Sequence, residues 1–154
     1  MGAKTLCLLE CPQAECSVLL VDDAAMEKLN RTYRGFAQPT DVLAFPMREG
    51  RFRIVSPELL GDVVISAETA RRQVETGGGE LRAELALLLI HGILHLVGYD
   101  HGDAAERRTM ERKTQLILGA CGIPVSAGAP LTSPRRLGCA GAALSEPGRR
   151  GGTG

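Results

Sequence analysis

The sequence contains no tryptophan, and three phenylalanines and two tyrosines are its whole aromatic content in 154 residues. That scarcity argues against a broad platform for stacking bases. Neither sign of charge is in excess: Lys plus Arg and Asp plus Glu number 18 each, so no net field draws the chain to nucleic acid or to a membrane surface. Contact with a polyanion must come from a local cluster of arginines. The longest apolar run, residues 85–97, is too short to span a bilayer and carries two histidines. The N-terminus has one early lysine and a short apolar patch at 6–9 but no small-residue cleavage site, so the chain is expected to be unsignalled and cytoplasmic. The five cysteines (Cys7, Cys11, Cys16, Cys121 and Cys139) are odd in number and include no C-x-x-C pair. They read as reduced thiols and are assigned no site.

What remains is a chain long enough for one domain with one core. Residues 17–21 (SVLLV) read as a short buried strand. Asp22 and Asp23 offer N-caps to a helix ending at Arg34, with Met26, Leu29 and Tyr33 along one side. Residues 35–40 hold Gly and Pro and read as a loop, 42–45 as a strand, 47–57 as a charged excursion or hairpin, and 60–65 as a strand. Ser66 caps a helix that the triple glycine 77–79 ends. A helix over about 80–97 is apolar all round, which places it at the centre of the fold. Asp103 and Glu106 form a capping box for a last helix to about 118. The expected order is β-α-β-β-α-α-α, an α+β domain with a small mixed sheet and helices packed around it. Residues 1–16 form a short N-terminal segment, 17–124 the domain, and 125–154 a Gly, Pro and Arg tail expected to be disordered.

All three histidines of the chain fall within residues 91–101, HGILHLVGYDH. His91 and His95 are four apart on an expected helix, so their imidazoles project from one face, one turn apart, and reach one metal. A third ligand requires the chain to turn. Gly98 ends the helix, Tyr99 and Asp100 carry the chain round, and His101 can return to the same ion. A lone histidine is usually a satisfied core or surface group; three packed at this spacing are a metal site. Three His ligands with no evident fourth fit a catalytic zinc, one per chain, that keeps a water. The spacing is also that of the metzincin protease motif H-E-x-x-H-x-x-G-x-x-H, except that the glutamate serving as general base is Gly92 here. Glycine moves no proton, which sets a peptidase behind a phosphodiesterase as the expected activity.

HGILHLVGYDH resembles the signature of the YbeY endoribonucleases, and three further stretches agree in order. They are LNRTYRGFAQPTDVLAFP (29–46), LLGDVVIS (59–66) and the helix after His101, so the resemblance covers roughly 17–120. It implies that His91, His95 and His101 are the metal ligands, that Arg34 in YRG is the functional arginine, and that Arg34 and His91 belong to the catalytic set. It also implies a small mixed sheet with the metal in a cleft. The implied substrate is single-stranded RNA, near the 3′ end of small-subunit ribosomal RNA. A linked role in ribosome quality control follows, with the small subunit and its assembly factors as partners. Family members carry a longer N-terminus, and only about sixteen residues precede the VDD segment here, so an edge strand and part of a helix are expected to be missing.

The chemistry expected of these residues is hydrolytic. Zinc lowers the pKa of its bound water to about 7, and the guanidinium of Arg34 offers a fork to the phosphate oxygens. Asp100 either orients a ligand imidazole or caps the turn through backbone amides. Arg31, Arg48, Arg51 and Arg53 either line a path for RNA or are solvated surface groups, and the pairs Arg135/Arg136 and Arg149/Arg150 read first as a solvated basic tail. No residue is an obvious general acid. Two other readings stay open: a zinc metalloprotease lacking its glutamate base, and a non-catalytic, metal-stabilised ribosome-assembly factor.

Overall fold

The architecture, a computed structural model, is described for residues 1–47, 58–99 and 102–124. The expected charged excursion at 48–57 with Arg48, Arg51 and Arg53, the residues Asp100 and His101, and the tail from 125 lie outside the described residues.

At the centre is β3 (Leu59–Ser66), whose apolar residues are buried along nearly its whole length. It pairs in parallel with β1 (Glu15–Val21) and antiparallel with β2 (Val42–Pro46), giving the order β1-β3-β2, with Val63 opposite Val18 on one side and Ala44 on the other. Side chains alternate across this sheet as strand geometry requires. Val42, Ala44, Val63 and Ile65 face one way, into a core with Leu88, Ile93 and Leu96 of α4 (Leu81–Leu96). Leu43 and Val64 face the other way, onto Met26 of α2 (Asp23–Arg34), with Phe45 packed beside them. The second face of α4, with Ala86, Leu87, Ile90 and Leu94, meets Met110, Ile117 and Leu118 of α5 (Ala104–Ala120). A helix covered by a sheet on one side and a helix on the other must be apolar all round, and α4 is.

The polar punctuation works as the sequence leads one to expect. Asp22 caps α2 by accepting from the Ala25 amide at 2.7 Å. Ser66 caps α3 (Ala67–Gly77) by accepting from Thr69 N at 3.1 Å, and Gly78 ends that helix. Asp103 and Glu106 make the full capping box of α5.

Three expectations need correction. The 17–21 segment is a strand but not a buried one: Val18, Leu19 and Leu20 are 46%, 53% and 56% exposed. Among the described residues β1 pairs with β3 alone, so it is an edge, and a continuous apolar run cannot by itself distinguish an edge from a centre. Ahead of it lies a helix the pattern does not announce, α1 (Gly2–Leu8), which buries Thr5 and Leu6; Lys4 donates through Nζ to the carbonyl of Ala120 at the end of α5. Finally, Asp23 is no cap. Its Oδ1 accepts from Ser66 Oγ at 2.5 Å and Thr69 Oγ1 at 2.7 Å, and its Oδ2 from Arg72 at 2.5 Å, which pins α2 to the start of α3.

Burial acts to raise the Asp23 carboxyl, but hydrogen bonds from Arg72, Ser66 and Thr69 and the charge of Arg72 outweigh it and hold the group below its ordinary 3.8. The stability this carboxylate contributes is therefore complete above pH 3.8 and is lost as the pH falls through the lowered native value. Asp23→Asn should be less stable than wild type at neutral pH in urea denaturation, and the gap should narrow in acid. A gap that stays constant well below pH 3.8 would contradict this assignment.

Candidate metal centre

The C-terminal half of α4 lies in the interior, and His91 and His95 are only 4% and 5% exposed. One helical turn apart, their Nε2 atoms stand 3.2 Å from each other, with ring centroids 4.7 Å apart and planes at 81°. Two nitrogens on one tetrahedral ion at about 2.0–2.1 Å lie ~3.3–3.4 Å apart, close to this 3.2 Å separation. The same distance also suits one ring donating a hydrogen bond to the other. In either arrangement two imidazole donors converge inside the protein, a ligand type that zinc, copper, iron and nickel share. Among the described residues, no group of three His, Cys, Asp or Glu side chains is arranged to hold a metal.

Helix α4 ends where the sequence reading places its end. Gly98 takes φ 96°, in the left-handed region, and the amides of Gly98 and Tyr99 donate back to His95 O and Leu94 O, both at 3.0 Å. The chain therefore turns within four residues of His95; His101, the third expected ligand, lies beyond the described Tyr99.

Gly92 has a role that its reading as a missing base did not reveal. A Cβ at this position would lie 2.5 Å from Val63 Cγ1 and 3.1 Å from Cγ2. Residue 92 thus faces the central strand, and any larger side chain must displace Val63, which is fully buried. The sequence signal was available: a glycine inside a long apolar helix usually marks a close approach.

Arg34 is the last residue of α2, half-buried, with its guanidinium 5.4 Å from the centre of the Phe36 ring. Because α2 and α4 pack on opposite faces of the sheet, Arg34 and the histidine pair hang from different layers. Arg31 is exposed and ion-paired with Glu27 one turn back, which fits its surface reading. A cleft of about 390 Å³ lined by Ala67, Glu68, Arg71 and Arg72 sits at the start of α3 and includes neither His91 nor His95.

A buried histidine pair on the central helix of a small α+β domain defines a class of candidate metallohydrolase. The comparisons narrow it. Residues 4–122 match the family described as endoribonuclease YbeY. An endoribonuclease YbeY of Pelotomaculum thermopropionicum is 50% identical over 109 residues, 70% of this chain and 72% of that protein. One from Moorella thermoacetica is 48% identical over 117 residues, 72% of this chain and 75% of the relative. One from Geobacter metallireducens is 44% identical over 120, covering 77% and 80%. The solution structure of TM1509 from Thermotoga maritima aligns over 79% of this chain and 86% of its own, at 26% identity and a TM-score of 0.48. The chain belongs to the endoribonuclease YbeY family. The match begins at residue 4 and so takes in α1, further toward the N-terminus than the motifs alone reach.

The Gly92 contact predicts a coupling. Gly92→Ala forces a methyl into Val63, an overpacking that costs about 1–3 kcal/mol, against about 1 kcal/mol regained in helix propensity. In a Val63→Ala background, where room exists, Gly92→Ala should be neutral or stabilising. Equal effects of Gly92→Ala in both backgrounds, measured by denaturant unfolding, would contradict the contact.

Proposed function

We propose that this protein is a zinc-dependent endoribonuclease that cuts single-stranded RNA in the cytoplasm. It acts in maturation of the 3′ end of small-subunit ribosomal RNA and in ribosome quality control, with the small subunit and its assembly factors as partners. The observation that carries this reading is the convergence of the two buried imidazoles, 3.2 Å apart, in a chain of the endoribonuclease YbeY family. Among the described residues no helix is long and apolar enough to cross a membrane.

In this reading His91, His95 and His101 hold one zinc ion through neutral imidazole nitrogens. When bound, zinc supplies Lewis-acid activation of water at neutral pH. Burial of His91 and His95 in α4 fixes their direction before the ion arrives, so little ordering remains to be done on binding. Cleavage of a phosphodiester builds negative charge on the non-bridging oxygens. Arg34 answers that charge with a planar fork of donors, which a lysine cannot reproduce. His91 belongs to the catalytic set through the ion it holds.

The protease alternative is weakened by the seat of α4. A metzincin uses the residue after its first histidine as general base, and here that position is filled by Gly92 against Val63. A non-catalytic assembly factor stays distinguishable by activity alone.

The test is cleavage of a ribosomal RNA oligomer, with casein as the control substrate. Arg34→Ala should retain fold and metal yet cleave on the order of 10²–10³ more slowly in single-turnover reactions at saturating enzyme. Arg34→Lys should recover part of that loss. Wild-type rates in the alanine variant would remove Arg34 from the reaction, and metal-dependent cleavage of casein in place of RNA would overturn the ribonuclease reading.

A further inference from the structure

Two of the five aromatic residues, Tyr33 and Phe36, stand within four positions at the end of α2, and a third, Phe45, packs against Tyr33. Tyr33 meets Phe45 of β2 edge-on, with centroids 5.0 Å apart and planes at 69°, yet remains 53% exposed. Phe36 is also 53% exposed and carries the Arg34 guanidinium 5.4 Å from its ring centre.

Their support is rigid. Gly35 adopts φ 76°, and this left-handed step folds the chain back so that its own amide donates to Arg31 O at 3.1 Å and the Phe36 amide to Asn30 O at 3.4 Å. The buried Asn30 then donates through Nδ2 to Gln38 O at 2.7 Å, anchoring the loop that follows. Phe36 is thus fastened to the last turn of α2. Two rings are held more than half in water with a cation between them in sequence.

Along the chain from Lys28 to Met47 stand Lys28, Arg31, which is ion-paired with Glu27, and Arg34, and the one acid in that stretch, Asp41, is 3% exposed and accepts from the Val42 amide and from Gln73 Nε2. The other exposed apolar stretch, Val18, Leu19 and Leu20 of β1, is aliphatic and offers no ring to a base.

We propose that Tyr33 and Phe36, with Arg34 between them, form a base-stacking subsite for single-stranded RNA. This rests on the ribonuclease reading and adds to it where the bases lie. Each exposed ring offers apolar surface to one unstacked base, while Arg34 keeps the role on the phosphodiester given above. Paired bases present no free face, so the subsite favours single strands without reading sequence.

The experiment measures single-turnover cleavage and fluorescence anisotropy of a labelled RNA oligomer over a range of enzyme concentrations. Tyr33→Leu and Phe36→Leu keep apolar bulk but remove the ring. Each should raise the half-saturating concentration on the order of 5- to 100-fold, more than it lowers the plateau rate. Tyr33→Phe and Phe36→Tyr, which keep a ring, should recover most of what the leucine variants lose, and Leu19→Ser in β1 should bind as wild type does. The preference for the free oligomer over the same oligomer annealed to its complement should shrink in the leucine variants. Cleavage by wild type with half-saturation unchanged in both leucine variants would overturn the stacking subsite alone. The same holds if those variants instead dissociate a dimer in sedimentation while RNA binding persists. Failure of the wild-type protein to cleave or bind RNA would overturn the ribonuclease reading and the subsite with it.

Discussion

Helix α4 comes close to the central strand where Gly92 lies over Val63, and the placing of the candidate metal centre depends on that contact. With no side chain at 92, the helix settles until its backbone approaches the central strand, since a Cβ there would already be 2.5 Å from a valine methyl. Leu88, Ile93 and Leu96 then reach the sheet core, while Ile90 and Leu94 reach α5. His91 precedes Gly92 and His95 follows it by three residues, so the depth and direction of both imidazoles depend on the same seat. Interiors are packed too densely for such a helix to shift without moving its neighbours. A larger residue at 92 is therefore expected to disturb the histidines as well as the core, although it touches neither ring.

The sheet also divides the labour of the molecule. One face carries α4 and the histidine pair; the other carries α2, whose C-terminal end presents Arg34, Tyr33 and Phe36. Strand β2 contributes to both, with Val42 and Ala44 under α4 and Phe45 against Tyr33. This follows from strand alternation: neighbouring residues of one short strand support two different surfaces. In the account proposed above, Tyr33 and Phe36 hold bases at the end of α2, while Arg34 and the histidines act on the phosphodiester. The network of Asp23 with Ser66, Thr69 and Arg72 ties the opposite end of α2 to α3, so α2 is fixed to the scaffold at its start as well as through Met26.

Much of this was legible in the sequence, where the physical signals are local. Caps at Asp22, Ser66 and Asp103, the stop at Gly98, and the all-round apolar pattern of α4 each correspond to one backbone or burial requirement, and each is met. The four-residue spacing of His91 and His95 needed only a helix to bring them together. Signals that depend on what lies alongside were not legible. The run SVLLV looks the same in an edge strand as in a buried one, and among the described residues β1 pairs with β3 alone. Helix α1 has seven residues and a thin apolar side, so its stability comes from docking on α4 and on the end of α5, which no local pattern records. Scarce aromatics argue against a broad stacking platform, and composition says nothing of the packing of Tyr33 on Phe45. His101 and Asp100 lie outside the described residues, so the third ligand rests on the motif.

The central claim is that the converging imidazoles of α4 hold a metal ion. Its most direct test is the metal content of purified protein by elemental analysis, with wild type compared to His91→Ala and His95→Ala variants whose folding is verified by circular dichroism. The account predicts about one zinc per wild-type chain and a near-complete loss in either folded variant. Folded variants that keep close to the wild-type metal content would contradict it.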